Sequence, residues 1–326
     1  MHIQTVLELS MLLDTERFNN VLSKAYIGEG SDNDEYTDHS LASKGVTVVY
    51  RDSQYKKKVK LVVKPDVVLD SDKPNSDKLV RKLEKRIGQY FDSVFSIDDF
   101  MLAGMVMSTD IDVRDREKVS AYIKVLQRIG KVKGFSPPSE SWIDGDISFS
   151  LDGNSNGINF MILDLERLLR DQMKRTNDDH DRKQLKAIAK KAEGIIHAEV
   201  RLSETKAIHA YTDETDTSGQ IAALSEKMEK VFLDTFMKII PFGDFFKLDK
   251  AKEMIRDKVS DKRMRRRCIR LLELVPEKKS LLLAQKALNY RRVDEVMAAF
   301  FAADVAPVTI SKRHDIKKLD NLYKYI

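Results

Sequence analysis

Two stretches of alternating apolar and polar residues that turn back on themselves constrain this chain more than any other feature of its sequence. In GDISFSLDGNSNGINFMILDL, residues 145–165, the central DGNSNG supplies residues that tolerate a positive φ between two alternating runs. The runs KGVTVVYR and KKVKLVVKP, joined by the polar DSQYK, predict a second hairpin. Because hairpins join antiparallel strands, and single helices lie between them in sequence, we predict an α+β sheet layer rather than a doubly wound parallel sheet.

The pattern changes at SETKAIHAYTDETDTSG, residues 203–219, because the periodic stretches beyond this loop are typical of helices only. We therefore predict a domain boundary in the loop, with an α+β domain over residues 1–212 and a basic helical domain over residues 213–326. The predicted fold class is α+β, a mostly antiparallel sheet covered by helices. An all-α part follows it and ends in a helix-turn-helix-like segment.

The composition excludes several classes of protein. The 326 residues are 42% hydrophobic and 33% charged, which is typical of a globular chain. There is no run of about 18 apolar residues and no signal-peptide pattern in MHIQTVLEL, so the expected location is cytoplasmic. Cys268 is the single cysteine, which excludes an internal disulfide and any zinc module built on two or four cysteines.

Positive charge is concentrated near the C-terminus. The chain carries a formal net charge of +5, yet the residues from Ala251 onward contain 19 Lys and Arg against 10 Asp and Glu, a balance of +9. The first 250 residues therefore sum to −4. Within the basic part, DKRMRRRCIR, residues 261–270, contributes six basic side chains. This polarity predicts that the C-terminal part binds a polyanion.

Two predicted strands carry acidic and imidazole side chains on one face and apolar side chains on the other. In VMSTDIDV and GIIHAEVRL, side chains two residues apart point the same way. If the strands are neighbours, three carboxylates and an imidazole meet in one patch, formed by Asp110, Asp112, His197 and Glu199. Such groups repel one another without a cation, and oxygen ligands with one imidazole suit Mg²⁺ or Mn²⁺. The alternative is the ordinary solvated face of an antiparallel sheet.

These strands, together with a hairpin, a tyrosine and a basic helical tail, resemble the rolling-circle replication initiators and relaxases of plasmids, phages and integrative elements. The resemblance extends loosely over residues 1–212 and depends on VMSTDIDV, SFSLDGNSNGINFMILDLE and IIHAEVRL. It implies a metal-dependent, strand-specific DNA endonuclease in which a sheet-bound divalent metal polarises the scissile phosphate. A tyrosine of that family attacks the phosphate and leaves a 5′-phosphotyrosyl link and a free 3′-OH. By position, the resemblance makes Asp110, Asp112, His197 and Glu199 the metal ligands.

The chain departs from that family at the paired histidines and at the tyrosine. The nearest equivalent of the histidine pair is His197-Ala198-Glu199, and there is no clear tyrosine motif with a following lysine. Tyr211 lies closest in sequence to the second of the two strands and is the predicted nucleophile, with Tyr290 as the alternative. An ordinary loop aromatic is the competing interpretation of Tyr211.

The end of the chain predicts a DNA-binding helix. VDEVMAAFFAADVAP followed by VTISKRHDIKKLDNLY is typical of a helix-turn-helix whose second helix begins near Pro307. The first turns of that helix would expose side chains that reach phosphates and base edges, namely Thr309, Ser311, Lys312, Arg313 and His314. A basic terminal helix that only packs on its neighbours is the alternative.

A second basic element is KRMRRRCIRLLEL, a predicted helix with an apolar inward face. Its Arg265, Arg266 and Arg270 would face outward and bind phosphate without reading sequence. The alternative is a solvated helix face with no ligand.

The sequence leaves two main functions open. One is a replication initiator that binds an origin and nicks one strand through a divalent metal, Mg²⁺ or Mn²⁺, and a tyrosine. The other is a non-catalytic DNA-binding regulator of replication or transcription in a mobile element, and a structural protein of such an element also fits the charge composition. The expected partner is origin DNA, double- and single-stranded, without a membrane. A host helicase and a homo-oligomer stay open.

Overall fold

One antiparallel sheet dominates the computed structural model, which describes residues 2–27, 34–71, 75–140, 143–176 and 178–326. Its strands are β1 Gln4–Leu13, β2 Glu35–Asp38, β3 Val46–Asp52, β4 Lys57–Val63, β5 Met101–Asp112, β6 Phe135–Ser136, β7 Ser148–Gly153, β8 Ile158–Asp164 and β9 Ile195–Leu202. The strand order is β2-β3-β4-β1-β5-β9-β8-β7-β6, and neighbouring strands are antiparallel throughout. The α+β class and both predicted hairpins, β3–β4 and β7–β8, are confirmed.

Helices connect and cover the strands and then continue alone. They are α1 Thr15–Leu22, α2 Pro65–Leu69, α3 Ser76–Tyr90, α4 Arg116–Gln127, α5 Leu165–Arg175, α6 Asp179–Lys191, α7 Thr205–His209, α8 Thr217–Ile239, α9 Leu248–Lys258, α10 Lys262–Lys278, α11 Leu281–Ala287 and α12 Val293–Ala303. A small second sheet pairs β10 Phe245–Phe246 with β11 Lys318–Leu319. Within the described residues, no helix combines the length and apolar character needed to cross a bilayer.

The period-two alternation gives the large sheet one apolar and one polar face. Met107, Val200 and Phe160 are almost fully buried on the apolar face. α8 packs there, and its Phe236 ring lies 5.9 Å from the ring of Phe160. Burying a side chain of this size contributes about 1.5–3 kcal/mol, which fixes α8 to the sheet. We call the opposite side the polar face, defined by Glu8, Ser108, Asp110, Asp112, Asp152, Asn159, His197, Glu199 and Arg201.

Contacts cross the predicted boundary at residue 212. The Tyr122 ring of α4 lies 6.2 Å from the Phe245 ring of β10, and its hydroxyl donates to the backbone oxygen of Asp320 at 2.7 Å. At the start of α8, the Thr217 hydroxyl donates to the backbone oxygen of Phe100. After residue 212, α8 therefore packs directly against the sheet and the chain around β10 and β11 contacts α4, and the division into two domains stays a prediction.

The end of the chain differs from the predicted helix-turn-helix. After α12, residues 305–310 form a bent, non-helical segment that is bridged to Asp244 and Lys247 at its two ends and is buried at every position. A surface helix would bury only one of its faces. Pro307 also disfavours the helical conformation at the residue before it, and the β-branched residues around it favour an extended chain. The predicted helix beginning near Pro307 is therefore wrong.

Candidate functional site

β5 and β9 are hydrogen-bonded neighbours, as the metal hypothesis requires. Their register places Asp110 opposite His197 and Ser108 opposite Glu199. The Nδ1 atom of His197 lies 2.7 Å from Oδ1 of Asp110. Because the opposite side of each strand is buried under helices, these side chains project together onto the polar face.

Asp112 has a local role at the end of β5. Its Oδ1 atom accepts a hydrogen bond of 2.8 Å from the backbone N–H of Arg114. Arg114 adopts a φ of 61°, a left-handed conformation in which the chain turns away from the sheet. The Asp112 side chain therefore shapes the turn that leads to α4, in addition to sharing the polar face with Asp110.

Glu199 is half-buried and has no hydrogen-bond or ion-pair partner among the described residues. Burial raises the pKa of this carboxyl by more than the neighbouring His197 and Arg201 lower it. A carboxylate that is desolvated without a partner is unfavourable and can be relieved by a ligand. Glu199 is thus the predicted site residue with the most free coordination capacity.

The predicted metal ligands do not form a complete cation site as they are placed. Asp110 and His197 are in contact, but over the described ranges no three His, Cys, Asp or Glu side chains form a group that could hold a metal ion. Ligation of Mg²⁺ or Mn²⁺ by Asp110, Asp112, His197 and Glu199 therefore stays a prediction.

An ion-pair network that the sequence did not reveal crosses the polar face. Arg201 of β9 donates to Oε1 of Glu8 on β1 at 2.6 Å, and Lys60 of β4 lies 3.2 Å from Oε2 of Glu8. Burial alone would raise the pKa of Glu8, but Arg201 and Lys60 outweigh it and lower that pKa. The ion pair between Glu8 and Arg201 passes over β5 at Gly104, where a Cβ atom would lie 3.4 Å from Oε2 of Glu8. A glycine inside a strand is the sequence signal for such a close approach.

We expect Glu199→Gln to stabilise the protein by about 1 kcal/mol at pH 7. Folding raises the pKa of this carboxyl, so its ionised form becomes a cost as the pH rises above the unperturbed value of 4.5. Glu8→Gln is the matched change and should instead destabilise the protein. Folding lowers the pKa of Glu8, so its ionised form contributes stability above pH 4.5 that is lost in acid. Thermal unfolding at several pH values measures both differences, which should shrink towards pH 4. A Glu199→Gln variant less stable than wild type at pH 7 would contradict this assignment.

The structure places Tyr211 away from the polar face. Burial raises the pKa of Tyr211, whose titration is also influenced by Thr235 and Asp234 of α8. Since α8 packs on the apolar side of the sheet, this tyrosine lies on the side opposite to Asp110 and His197. Its predicted role as nucleophile has no supporting contact in the described part of the chain.

Tyr290 lies in the segment before α12. Its hydroxyl donates to Oε2 of Glu295 at 2.8 Å, and that hydrogen bond raises the pKa of Tyr290. The guanidinium carbon of Arg267 lies 3.7 Å from the centre of its ring. The phenol is therefore held neutral and stacked, which does not activate it for attack.

The predicted phosphate-binding residues of α10 divide into two groups. Arg265 donates to the backbone oxygen of Val259 at 2.8 Å and thereby ties the helix start to the preceding turn. Arg266 and Arg270 are exposed, as predicted, although Arg270 lies 3.6 Å from Glu273. Burial raises the pKa of the inward-facing Cys268 thiol to about 12, so this cysteine is unreactive.

The terminal DNA-binding residues lie on irregular chain rather than on a recognition helix. Thr309 is 2% exposed and its backbone oxygen accepts from Arg128, so it is unable to reach DNA. Lys312 and Arg313 are exposed, while Ser311 and His314 are half-buried and joined by a backbone hydrogen bond of 3.2 Å. Lys312 and Arg313 are exposed as predicted, but they lie on irregular chain and not on a helix that could enter the major groove.

A cleft of about 460 Å³ lies on the polar face over β7, β8 and β9. Glu199, Arg201, Asn159 and Asp152 line its floor, and Pro138 contributes to its wall. The Asn159 amide donates to Asp152 at 2.6 Å. Acidic side chains, a basic side chain and an amide thus converge in one concave surface, which suits a polar ligand.

No protein-family description matches the sequence, and no curated protein matches it at a significant level.

Proposed function

We propose that the protein binds DNA as a replication protein of a mobile element. The observation that carries the proposal is a stripe of arginines on one exposed face of α10, formed by Arg263, Arg266 and Arg270 at spacings of three and four residues. The opposite face of the helix is buried. Like charges at this spacing repel one another, and a polyanion relieves that repulsion. The exposed Lys312 and Arg313 add positive charge in the same half of the chain.

Removing two of these charges should weaken binding to duplex DNA uniformly across sequences. We expect the Arg266→Ala/Arg270→Ala variant to lose about tenfold in affinity at 0.1 M salt, and its slope of log K against log salt to become shallower by about 2. Fluorescence anisotropy with a labelled duplex at several salt concentrations measures both quantities. The control is Lys183→Ala/Lys186→Ala, which removes two exposed charges from α6 and should bind like wild type. Equal losses in both variants would contradict a role for α10.

A nicking replication initiator is the second candidate. It is supported by the contact between Asp110 and His197 and by the neighbouring carboxyl of Glu199, for which the described residues offer no partner. These side chains are the ones that a divalent cation would engage on the polar face, where the cation would polarise a phosphate. The positions of Tyr211 and Tyr290 argue for the non-cleaving regulator, because neither hydroxyl lies on that face.

A nicking assay separates the two candidates. Supercoiled DNA that carries the origin region of the element is incubated with the protein, with and without Mn²⁺, and any covalent adduct is mapped by mass spectrometry. A metal-dependent nick that Glu199→Gln and His197→Ala abolish would establish the enzyme, and the adduct would identify the tyrosine. Salt-sensitive binding without nick or adduct would establish the regulator. A thermal shift with Mn²⁺ in wild type that is absent in Glu199→Gln reports cation binding independently of cleavage.

A further inference from the structure

A second concave surface is lined mainly by helices that follow residue 212, together with Val132 and Lys133 from the chain after α4. This cleft has a volume of about 540 Å³ and is formed by the end of α8, by α11 and by the start of α12. Four basic side chains line it, namely Lys133, Lys238, Lys286 and Arg291, against the single acidic Asp294. We call it the cationic cleft.

The four cations are not used in folding. All four are exposed, and none has an ion-pair or hydrogen-bond partner for its side chain in the part of the chain that the structure describes. The neighbouring Arg292, in contrast, pairs with Glu295. Four unpaired cations around one concavity repel one another, so the cleft is complementary to an anion with several charges.

The floor of the cationic cleft is apolar and partly aromatic. Met237, which is 57% exposed, lies there with Leu282, Met297 and the ring of Tyr290. Arg267 covers one face of that ring at 3.7 Å. An anion that matches this floor must carry flat or apolar groups as well as negative charge, which excludes inorganic phosphate as a complete ligand.

The cationic cleft is continuous with the basic stripe of α10. Arg267 lies four residues after Arg263 and three before Arg270, so its side chain neighbours both of these on the helix surface. Its contact with Tyr290 brings that face to the rim of the cleft. A polymer bound along α10 could therefore enter the cleft without leaving a positive surface.

We propose that the cationic cleft binds a segment of single-stranded DNA, with phosphates at the four cations and bases on Tyr290 and the apolar floor. The inference rests on the proposed function and deepens it, because it separates a single-strand site from the duplex-binding face of α10. A duplex keeps its bases stacked inside and would leave the apolar floor unused. Charged grooves with aromatic platforms are the usual way in which proteins hold single strands without reading sequence.

The first test measures how much the cations of the cleft contribute to the affinity for single-stranded DNA. Full-length protein is titrated onto a labelled 12-nucleotide oligo-dT at several salt concentrations. We expect Lys238→Ala/Lys286→Ala to lose about tenfold in affinity and its salt slope to become shallower by about 1.4, because each phosphate contact on a single strand contributes about 0.7. The matched control Lys183→Ala/Lys186→Ala should bind like wild type, and circular dichroism verifies that both variants are folded.

The second test measures how much the aromatic ring of Tyr290 in the cleft contributes to the same affinity. Tyr290→Leu should bind oligo-dT about tenfold more weakly, whereas Tyr290→Phe, which keeps the ring, should restore affinity. Polyglutamate at equal charge should compete poorly. Wild-type affinity in the lysine variant, or equal losses in Tyr290→Leu and Tyr290→Phe, or competition by polyglutamate equal to that by oligo-dT, would each overturn the single-strand site.

Binding of the wild type to a duplex distinguishes the two proposals. If the wild type binds a duplex in a salt-sensitive way but the cleft variants bind oligo-dT normally, the inference about the cleft fails and the proposed function stands. If the wild type binds neither the duplex nor oligo-dT, both proposals fail.

Discussion

The free energy of unfolding of the Asp244→Ala variant is expected to be about 3 kcal/mol lower than that of wild type, and the C-terminal segment is expected to be released. The Asp244 side chain is 7% exposed and lies 2.8 Å from both Lys318 and Lys324. It also accepts a hydrogen bond of 2.8 Å from the backbone N–H of Asn321. Removing this buried anion leaves the buried N–H of Asn321 without its acceptor and takes the counter-ion from Lys318 and Lys324, which is why the effect is large.

Acid should have the same effect as this substitution. Burial would raise the pKa of Asp244, but its bonds to Lys318, Lys324 and the Asn321 N–H outweigh burial and lower it below the unperturbed value of 3.8. An acid whose pKa is lowered by folding contributes stability above the unfolded value and loses it as the pH falls. The difference between wild type and Asp244→Ala should therefore be constant near neutrality and shrink below about pH 4.

Chemical denaturation and limited trypsin digestion measure the two consequences. Released chain should be cut early within the basic residues 312–318. Asp320→Ala is the control, since Asp320 also pairs with Lys318 at 3.0 Å but its side chain is 40% exposed. Exposed pairs contribute about 1 kcal/mol at most. Equal stability loss in the two variants would show that burial of Asp244 is unimportant.

Gly243→Ala is expected to destabilise the protein by about 3 kcal/mol or more. Gly243 has a φ of +110°, and a Cβ atom there would lie 2.5 Å from the backbone carbon of Val305. Residues 305–310 are all buried, and Val305 and Ala306 lie against this point, so neither chain can move away without opening the core.

Gly134→Ala separates the clash from backbone strain. Gly134 also has a positive φ, of +85°, but a Cβ atom there would meet nothing within 4 Å. Its substitution should therefore cost only about 1–2 kcal/mol, the penalty of a left-handed conformation. Thermal unfolding of both variants gives the comparison. Similar losses would mean that the contact with Val305 relaxes easily.

Local patterns predicted the sheet and the polar face correctly for a physical reason. Side chains alternate along a strand, so the sequences of β5, β8 and β9 report directly which side is buried. The hairpin turn of β7–β8 depends on residues that tolerate positive φ, which are also visible locally. A meeting of Asp110 and His197 was expected only if their two strands were neighbours, and the register of β5 and β9 meets that condition.

The chain end shows where local patterns fail. Pro307 and the β-branched residues around it disfavour a helix, but these local features do not specify where residues 305–310 pack. The neighbouring chain at residues 244–247 accepts and donates the hydrogen bonds that decide the outcome. That neighbour is about sixty residues away in sequence, beyond the reach of any periodicity.

The sequence by itself determined the strand periods, the turn residues, the polar face and the surplus of positive charge, because each depends on residues close together in the chain. Only the tertiary structure decided which side of the sheet holds Tyr211, how Glu8 meets Arg201 over Gly104, and that Lys133, Lys238 and Arg291 surround one cleft. These outcomes depend on how distant elements exclude water and satisfy one another's polar groups, and that information is distributed over the whole fold.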